Sequence, residues 1–449
     1  MYISQLAASA SATSFWTDEG MSGSPNDTEQ RYWPAATRFG FRFAFVYLIL
    51  YNLPFPLNYV PGAYRVLSWY ELVLHKAVPW VGAHVLRLNT PITNFSGASG
   101  DKRYDYVLML CFLVTALAVS IAWSFADRKR TNYEVMYAWL RVYVRFALGA
   151  ALVRYGSAKL FPSQFPRPAF FTLTEPFGQA SPMGLLWTFM GASRPYTIFA
   201  GAAEFASGVL LFVPWTEGLG AILGAAVMSN VVALNFCYDV PAKLYSLHLL
   251  LMCLFVGWSA IMGVLSLLVL KRAQPTTDIP VFAQHSWNKG FLAIQAILGL
   301  ILALTNLNNG YKQTTAAQNS MATLPFGGFW TVDELKVDGD TSNSPTSEVP
   351  RWTQFVLDSH YTVLLQGDGG LRQLYHWTTD VDNKILTLSR ADNGADVVLE
   401  VDRSMPNQLI LRGVWHGHRI EAYLHRTEMP KSLLLTRGFH WISEYPFSR

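Results

Sequence analysis

Charged residues and cysteines are both scarce in this sequence. Charged side chains make up 14% of the 449 residues, whereas a soluble domain usually carries about 25%, so the composition argues against an ordinary cytosolic enzyme and a disordered chain. The formal net charge of only +4 argues against nucleic acid as a partner, because binding phosphates requires a dense basic surface. The three cysteines, at positions 111, 237 and 253, form no CxxC pair, which argues against a dithiol redox centre.

Common cofactor and metal motifs are missing as well. The chain has no GxGxxG segment after a strand, no Walker sequence, no HExxH and no GxSxG elbow. His416 and His418 form one HxH pair, but no third ligand is evident beside it, so we predict no metal site. No cofactor is evident in the chain itself, and a quinone is the one candidate that the polar residues discussed below suggest.

The charges that are present are unevenly distributed. Residues 1–309 contain 21 basic and 14 acidic residues, and residues 310–449 contain 13 and 16, so charge density in the second part is about twice that in the first and close to the soluble norm. This pattern predicts a membrane-embedded body and a water-soluble C-terminal domain. The expected division is an N-terminal cytoplasmic segment (1–37), a transmembrane domain (38–309), a polar linker (310–323) and an extracytoplasmic β domain (324–449).

Long apolar runs define the expected membrane spans, and a helix that crosses a hydrocarbon core of about 30 Å needs about 20 apolar residues. Runs that reach or approach this length begin near Phe39, Tyr106, Val135, Pro195, Gly218, Leu244 and Phe291. The first run is the weakest because Pro54 and Pro56 cut it short. Residues 64–88 combine tryptophans with several charges, which is typical of a helix that lies along the membrane surface, and residues 183–190 are expected to form a short lid helix.

Basic residues near the ends of these spans predict the orientation, because Lys and Arg favour the cytoplasmic side. Clusters precede the first span (Arg31, Arg38, Arg42), follow the second (Arg128, Lys129, Arg130) and follow the sixth (Lys271, Arg272). Seven alternating spans place all three clusters on one side. We therefore expect a multi-pass protein of the bacterial cytoplasmic (inner) membrane, with the lipid bilayer as its first partner, a cytoplasmic N-terminus and a periplasmic C-terminal domain.

The C-terminal part has the pattern of a small β domain. Short runs rich in Val, Leu, Thr and aromatic residues occupy 330–337, 353–357, 362–365, 371–378, 385–389, 397–401, 409–414 and 419–425. Turn signals such as Asp338-Gly339 and His416-Gly417 separate them. Eight regularly spaced short strands predict an all-β antiparallel, lipocalin-like barrel.

An acidic residue inside a predicted span carries most of the functional argument. Glu204 lies among small residues in the run GAAEFASGVLLF, and a charge within hydrocarbon costs about 2.5–3.5 kcal/mol on insertion scales, so it needs a partner. Arg154 and Lys159, at the end of the preceding span, are the candidates. The pair either lines a substrate or quinone cavity or fixes the packing of two helices, and the sequence does not separate these alternatives.

Two further groups of polar residues are candidates for binding. Arg145 shares one helical stripe with Glu134 and Arg141, since the offsets are seven and four residues, and it fits an anion site or a stripe of arginines that reach the membrane surface. A second group joins two spans through NFCYDVPAKLYSLH and contains Asn235, Asp239, Lys243 and His248. It fits either a site for a polar headgroup or a capped helical hairpin in which Asp239 pairs with Lys243 and His248 is hydrogen-bonded to the backbone.

The order of elements between residues 134 and 270 resembles the DoxX family of bacterial membrane proteins. Tyr155-Gly156-Ser157-Ala158-Lys159-Leu160 is similar to the Gly–Lys segment that ends the first helix of that family. The run from Gly201 to Phe212 is similar to its second helix, which opens with a Glu among small residues. The resemblance implies a DoxX-like four-helix bundle, carries Lys159 and Glu204 over as functional positions, and implies membrane redox chemistry, such as the thiosulfate:quinone oxidoreduction of the DoxD relatives.

Two functions from different classes follow from these features. In the first, the chain is a quinone-linked membrane oxidoreductase or a subunit of one, in which Arg154, Lys159 and Glu204 bind and protonate the quinone and partner subunits supply further redox centres. In the second, it is a non-catalytic scaffold or envelope-assembly protein whose outer β domain binds a partner or lipid. The anchors would then be five tryptophans, for which filling the β core is the alternative role: Trp330, Trp352, Trp377, Trp415 and Trp441.

Overall fold

The structure, a computed structural model, consists of a helical bundle followed by a β domain. It describes residues 32–95, 100–272, 285–322, 327–341, 349, 351–357, 362–367, 372–380, 384–390, 396–403, 405–428, 431–438 and 440–441. Most of the predicted N-terminal segment, up to residue 31, lies outside the described residues. The helices are α1 (Ala35–Asn52), α2 (Tyr64–His84), α3 (Arg103–Ala126), α4 (Glu134–Leu160), α5 (Phe170–Leu173), α6 (Pro182–Ala192), α7 (Arg194–Phe212), α8 (Glu217–Cys237), α9 (Lys243–Leu270), α10 (His285–Ala322) and α11 (Leu433–Thr436).

In the described part of the chain, seven helices are long and apolar enough to cross a membrane: α1, α3, α4, α7, α8, α9 and α10. They coincide with the seven apolar runs of the sequence, which confirms the number and positions of the predicted long apolar helices. The first helix ends at Asn52, two residues before Pro54, as the helix-breaking effect of proline requires. The predicted surface helix is α2, which is not one of the seven, and it exposes Trp69 and Trp80. The predicted lid helix is α6.

The seven helices alternate in direction, as contacts between neighbours show. A Cβ atom on Gly156 of α4 would lie 2.6 Å from the backbone nitrogen of Phe205 in α7, and one on Gly208 of α7 would lie 2.8 Å from the carbonyl oxygen of Gly149 in α4. Glycine is therefore required at both crossings, and the two helices run antiparallel in direct backbone contact. In the same way, Asn235 near the end of α8 contacts Ser246 at the start of α9.

Because the helices alternate, the C-termini of α1, α4, α8 and α10 and the N-termini of α3, α7 and α9 lie at the same end of the bundle. Because the β domain follows α10, we call this the β-domain end. The basic residues near the span ends that the sequence singled out, around Arg42, Arg130 and Lys271, lie at the opposite end. Arg42 there donates hydrogen bonds to Tyr133 and Ser124, which ties the start of α1 to the end of α3.

The β domain is a single antiparallel sheet of nine strands in the described residues. They are β1 (Gly328–Val337), β2 (Asp340–Thr341), β3 (Trp352–Leu357), β4 (Thr362–Gly367), β5 (Arg372–Asp380), β6 (Ile385–Arg390), β7 (Val397–Asp402), β8 (Gln408–Trp415) and β9 (His418–Thr427). Each strand from β3 onward pairs with the next, and β1 pairs with both β3 and β9, so the ladder of hydrogen bonds returns to its first strand. All eight predicted strands are confirmed, and the two-residue strand β2 is an addition.

The inside of this sheet is filled with apolar side chains. Trp330, Trp352, Trp377 and Trp415 are at most 3% exposed, whereas Trp441 is 91% exposed. Four of the five tryptophans that the scaffold hypothesis assigned to partner recognition therefore fill the β core, which was the alternative use foreseen for them.

Two connections join the bundle to the β domain. The segment expected to be a linker, residues 310–323, continues α10 as helix to Ala322, because Lys, Gln, Ala and Met all favour helix. The second connection is the short helix α5, whose Phe170 ring packs edge-on against Phe329 of β1 with centroids 4.7 Å apart. Arg372 of β5 donates a hydrogen bond of 2.6 Å to Thr174 and another to the carbonyl oxygen of Phe171.

Candidate functional site

The predicted acid–base pair is present within the bundle. The Lys159 ammonium donates to both carboxylate oxygens of Glu204, at 2.8 Å and 2.7 Å. The two residues are 7% and 3% exposed, so the pair is enclosed where α4 and α7 approach most closely. A Cβ atom on Gly201 would lie 2.7 Å from the Cβ of Lys159. The two opposite charges therefore compensate each other within the close contact between α4 and α7.

Arg154, the other cation considered for Glu204, is not its partner. Five residues separate Arg154 from Lys159, which is about 140° around a helix at 100° per residue, so the two side chains leave α4 in different directions. Only Lys159 faces α7. The Arg154 side chain is directed instead into a cavity on the other side of α4.

The group from Asn235 to Lys243 is the capped hairpin that the sequence allowed. Lys243 pairs with Asp239 at 2.8 Å, and the Asn235 amide donates to the hydroxyl of Ser246. Sequence reasoning missed Asp101, whose carboxylate accepts hydrogen bonds from the backbone N–H groups of Lys243 and Leu244, both at 2.8 Å. This carboxylate caps the start of α9 from a distant part of the chain.

His248 lies deeper in the bundle and belongs to a separate contact. Its Nδ1 lies 2.7 Å from the carbonyl oxygen of Leu244 and its Nε2 lies 2.6 Å from the hydroxyl of Tyr47. Because a carbonyl only accepts, Nδ1 carries a hydrogen, and in the neutral ring Nε2 then accepts the Tyr47 proton. The imidazole stacks on Tyr51 with ring centroids 4.0 Å apart. The structure therefore does not bring His248 together with the hairpin group.

The arginine stripe lies at the opposite end of the bundle. Arg145 and Arg141 both bind Glu217, the first residue of α8, and Arg145 also donates to Gln295 of α10. The anion that the stripe binds is thus a carboxylate of the chain itself, at a helix start where negative charge is favourable. Arg145 is separated from the candidate residues at the β-domain end.

A cavity of about 530 Å³ at the β-domain end is the strongest candidate site. Its wall is built by the end of α1 and the loop after it, one face of α2, the start of α3, the last turns of α4 and the start of α9. Arg154 enters from α4, and tyrosines surround it: Tyr51, Tyr155 and Tyr245. Leucine, alanine and methionine side chains complete the lining.

The electrostatics of this cavity are set by Arg154. Its guanidinium lies 4.9 Å from the centroid of the Tyr155 ring and 3.3 Å from the Tyr155 hydroxyl, and Tyr245 lines the same cavity. In the part of the chain that the structure describes, no carboxylate pairs with Arg154, unlike Lys159 and Arg145. The cavity thus contains a cation that tyrosine hydroxyls hold in place but do not neutralise.

Titratable groups from α2 line the mouth of the same cavity. Glu71 and His75 face it from this helix, and His75 stacks on Phe95 with ring centroids 4.3 Å apart. Asp105 of α3 also lines the cavity, but it accepts a hydrogen bond from the backbone N–H of Lys102 and so caps its own helix. The cavity therefore presents arginine and tyrosine hydrogen-bond donors together with the side chains of Glu71 and His75.

The HxH pair in the β domain does not form a shared ligand set. His416 lies in the turn after β8, and His418 begins β9 and places its Nδ1 2.7 Å from a carboxylate oxygen of Asp338. Hydrogen bonds from His418 and from the backbone N–H of Arg419 hold the pKa of Asp338 below its ordinary value. These contacts fix the turn between β1 and β2 against the turn between β8 and β9.

Comparison with known proteins gives one informative match. The chain is 35% identical over 106 residues to the uncharacterised protein YwoB of Bacillus subtilis (strain 168), and the match covers 23% of this chain and 66% of that relative. No family model matches the chain, and no solved structure matches it. The relative's name assigns no activity, so the functional argument rests on the geometry described above.

Proposed function

We propose that the chain is a multi-pass membrane protein that binds the headgroup of a quinone in the cavity around Arg154, and that it is a quinone-linked oxidoreductase or a subunit of one. The observation that carries the proposal is an exposed guanidinium that has no carboxylate partner in the described residues and lies beside tyrosines in a cavity of mixed polar and apolar lining. Quinone carbonyl oxygens accept hydrogen bonds, which arginine and tyrosine donate. The cavity volume of about 530 Å³ falls within the range of about 300–1,000 Å³ typical of small-molecule sites.

The proposal differs from the sequence-based hypothesis in the residues that hold the quinone. Lys159 and Glu204 are hydrogen-bonded to each other, and neither residue lines the cavity. We therefore assign them to the packing of α4 on α7, and Arg154, Tyr155 and Tyr245 to the headgroup. The proposed relationship to the DoxX family is supported by the contact between the two segments on which it rests, since Gly156 packs against Gly201.

The proposed location is the bacterial cytoplasmic membrane with the β domain outside, as a lipocalin-like barrel. Support comes from the seven apolar helices and from the basic clusters, which lie at the end of the bundle opposite the β domain. Positive charge on the cytoplasmic side then places the β domain and the mouth of the cavity on the outer side. A cysteine-labelling experiment on intact cells checks this in the Cys237→Ser background, because the native Cys237 is exposed; labelling is expected at Glu428→Cys and none at Arg130→Cys.

The quinone assignment is tested with the purified full-length protein in lipid nanodiscs. We expect organic extraction to release a quinone, and added menaquinone or ubiquinone analogues to bind with an affinity that Arg154→Gln lowers about tenfold, because a hydrogen bond to a charged group contributes about 1.5–3 kcal/mol. Arg194→Gln is the matched control, since Arg194 is an exposed arginine at the same end of the bundle. Equal affinities in the wild type and both variants, with no extracted quinone, would refute the assignment.

A further inference from the structure

The outward face of α8 contains a polar residue whose surroundings are apolar. Asn230 is exposed, and no other described residue hydrogen-bonds to its side chain. It lies seven residues before Cys237, the end of α8, which is about 10 Å along the helix axis. The helices packed on α8 lie on its other side, where Gly220, Gly224 and Asn235 are buried. Asn230 therefore does not bridge helices within the bundle.

An amide in this position is costly if the chain lies in a membrane. Hydrocarbon offers no hydrogen-bond partner, and an unpaired amide costs several kcal/mol. Asparagine is also too short to reach the membrane surface from this depth, in contrast to lysine or arginine. Asn308 and Asn309 of α10 are exposed too, but they adjoin the polar residues that begin at Lys312, whereas the residues around Asn230 are apolar apart from Ser229.

The residues around Asn230 permit another helix to approach closely. Ala226, Asn230, Ala233 and Cys237 are all exposed, and their spacing of four, three and four places them on one stripe. Ser229 beside them already donates to the carbonyl oxygen of Ala225. Small side chains let two helix backbones approach within contact distance, so that amide hydrogen bonds form between them.

We propose that this stripe joins two copies of the chain, with Asn230 of each copy hydrogen-bonded to Asn230 of the other. An amide carries both a donor and an acceptor and is therefore complementary to itself across a two-fold axis. Two copies with the same topology run parallel, so their Asn230 side chains lie at equal depth. A single asparagine in such a stripe fixes the register of a parallel helix pair. The inference rests on the proposed membrane insertion and not on the quinone assignment.

The native Cys237 provides the first test, because it lies on the same stripe and is exposed. In carbonate-washed membranes, copper–phenanthroline is expected to oxidise two Cys237 thiols to one disulfide, with loss of two protons and two electrons to the oxidant. The product is a covalent dimer, which Cys237→Ser abolishes. The control is Leu300→Cys in the Cys237→Ser background, since Leu300 is 59% exposed on α10; its crosslinking reports random collision and is expected to be at least tenfold slower.

The second test changes Asn230 itself. We expect Asn230→Leu to weaken dimerisation on the order of tenfold, measured by single-molecule photobleaching at decreasing protein density in lipid, and Asn230→Gln to keep most of it. An unchanged thermal midpoint shows that the variants are folded. The inference is overturned if Cys237 crosslinks no faster than the Leu300→Cys control, if Asn230→Leu dimerises as the wild type does, or if Cys237 crosslinks to a different protein. Release of the chain by carbonate would instead refute membrane insertion.

Discussion

Removing one partner of the Lys159–Glu204 pair should destabilise the bundle much more than removing both. The ammonium contacts both carboxylate oxygens at 2.7–2.8 Å, and both residues are less than 10% exposed. A single change such as Lys159→Met or Glu204→Leu leaves one charge buried without compensation, for which we expect a loss of about 3–5 kcal/mol. The double change replaces the pair with apolar side chains of similar volume, and we expect its stability to lie within about 1 kcal/mol of the wild type.

The assay is equilibrium unfolding of the full chain in mixed micelles with increasing SDS, followed by helical circular dichroism. This signal reports the bundle, because the β domain contributes little helix. Lys129→Met is the matched control, since Lys129 is an exposed lysine before α4 and its loss should change the free energy of unfolding by less than about 0.5 kcal/mol. The wild type, the two single variants and the double variant form a double-mutant cycle.

Additivity would refute this reasoning. If the double variant is as unstable as the sum of the two single variants, or if the single variants resemble Lys129→Met, the pair is not a compensated buried contact. Quinone binding separates the structural assignment from the sequence-based one. We expect the folded double variant to bind quinone as the wild type does, whereas loss of binding at full stability would return Lys159 and Glu204 to the headgroup site.

Two further predictions concern contacts outside the pair. Asp101→Ala should lower the free energy of unfolding by about 1 kcal/mol, because it removes the cap from the backbone N–H groups of Lys243 and Leu244; hydrogen exchange at these two amides checks this, and unchanged exchange would contradict it. The pKa of Asp338 is lowered in the folded protein, so its stabilising contribution is complete above its ordinary value of about 3.9 and is lost as the pH falls through the lowered value. Hydrogen exchange at the Arg419 amide should accelerate below that point, and an identical pH profile for Asp338→Asn would contradict the assignment.

The sequence predicts the elements of this fold well because both parts follow simple periodic rules. Each long helix requires an uninterrupted apolar run, and the charged residues around Arg128 and Lys271 mark where the runs stop. The strands follow from alternation between turn signals, and only the two-residue strand β2 is too short to leave a pattern. The polarity of the segment after Gly310 predicts a linker, but polarity does not prevent helix formation when the residues favour helix.

The candidate site is only partly predictable, because its residues meet through packing. The sequence identifies Glu204 because a buried carboxylate needs a cation, and the angle between Arg154 and Lys159 on α4 shows that at most one of them faces α7. The partner of Arg141 and Arg145 could not be predicted in this way. Glu217 is the first residue of another helix, and no local spacing in the sequence relates it to the two arginines. The cavity lies between five segments of the chain, so its presence depends on how these segments pack and cannot be predicted from the pattern of any one of them.

The length of α10 has a mechanical consequence. The helix contains 38 residues and is therefore about 57 Å long, nearly twice the thickness of a hydrocarbon core. It packs along α4, where Gly310 faces Ser157 and Phe161, and continues without interruption toward the first strand. A rigid rod of this length acts as a lever, because a tilt of about 5° moves its far tip by about 5 Å. A small change in the tilt of α10 would thus be amplified at the end of the helix that precedes β1.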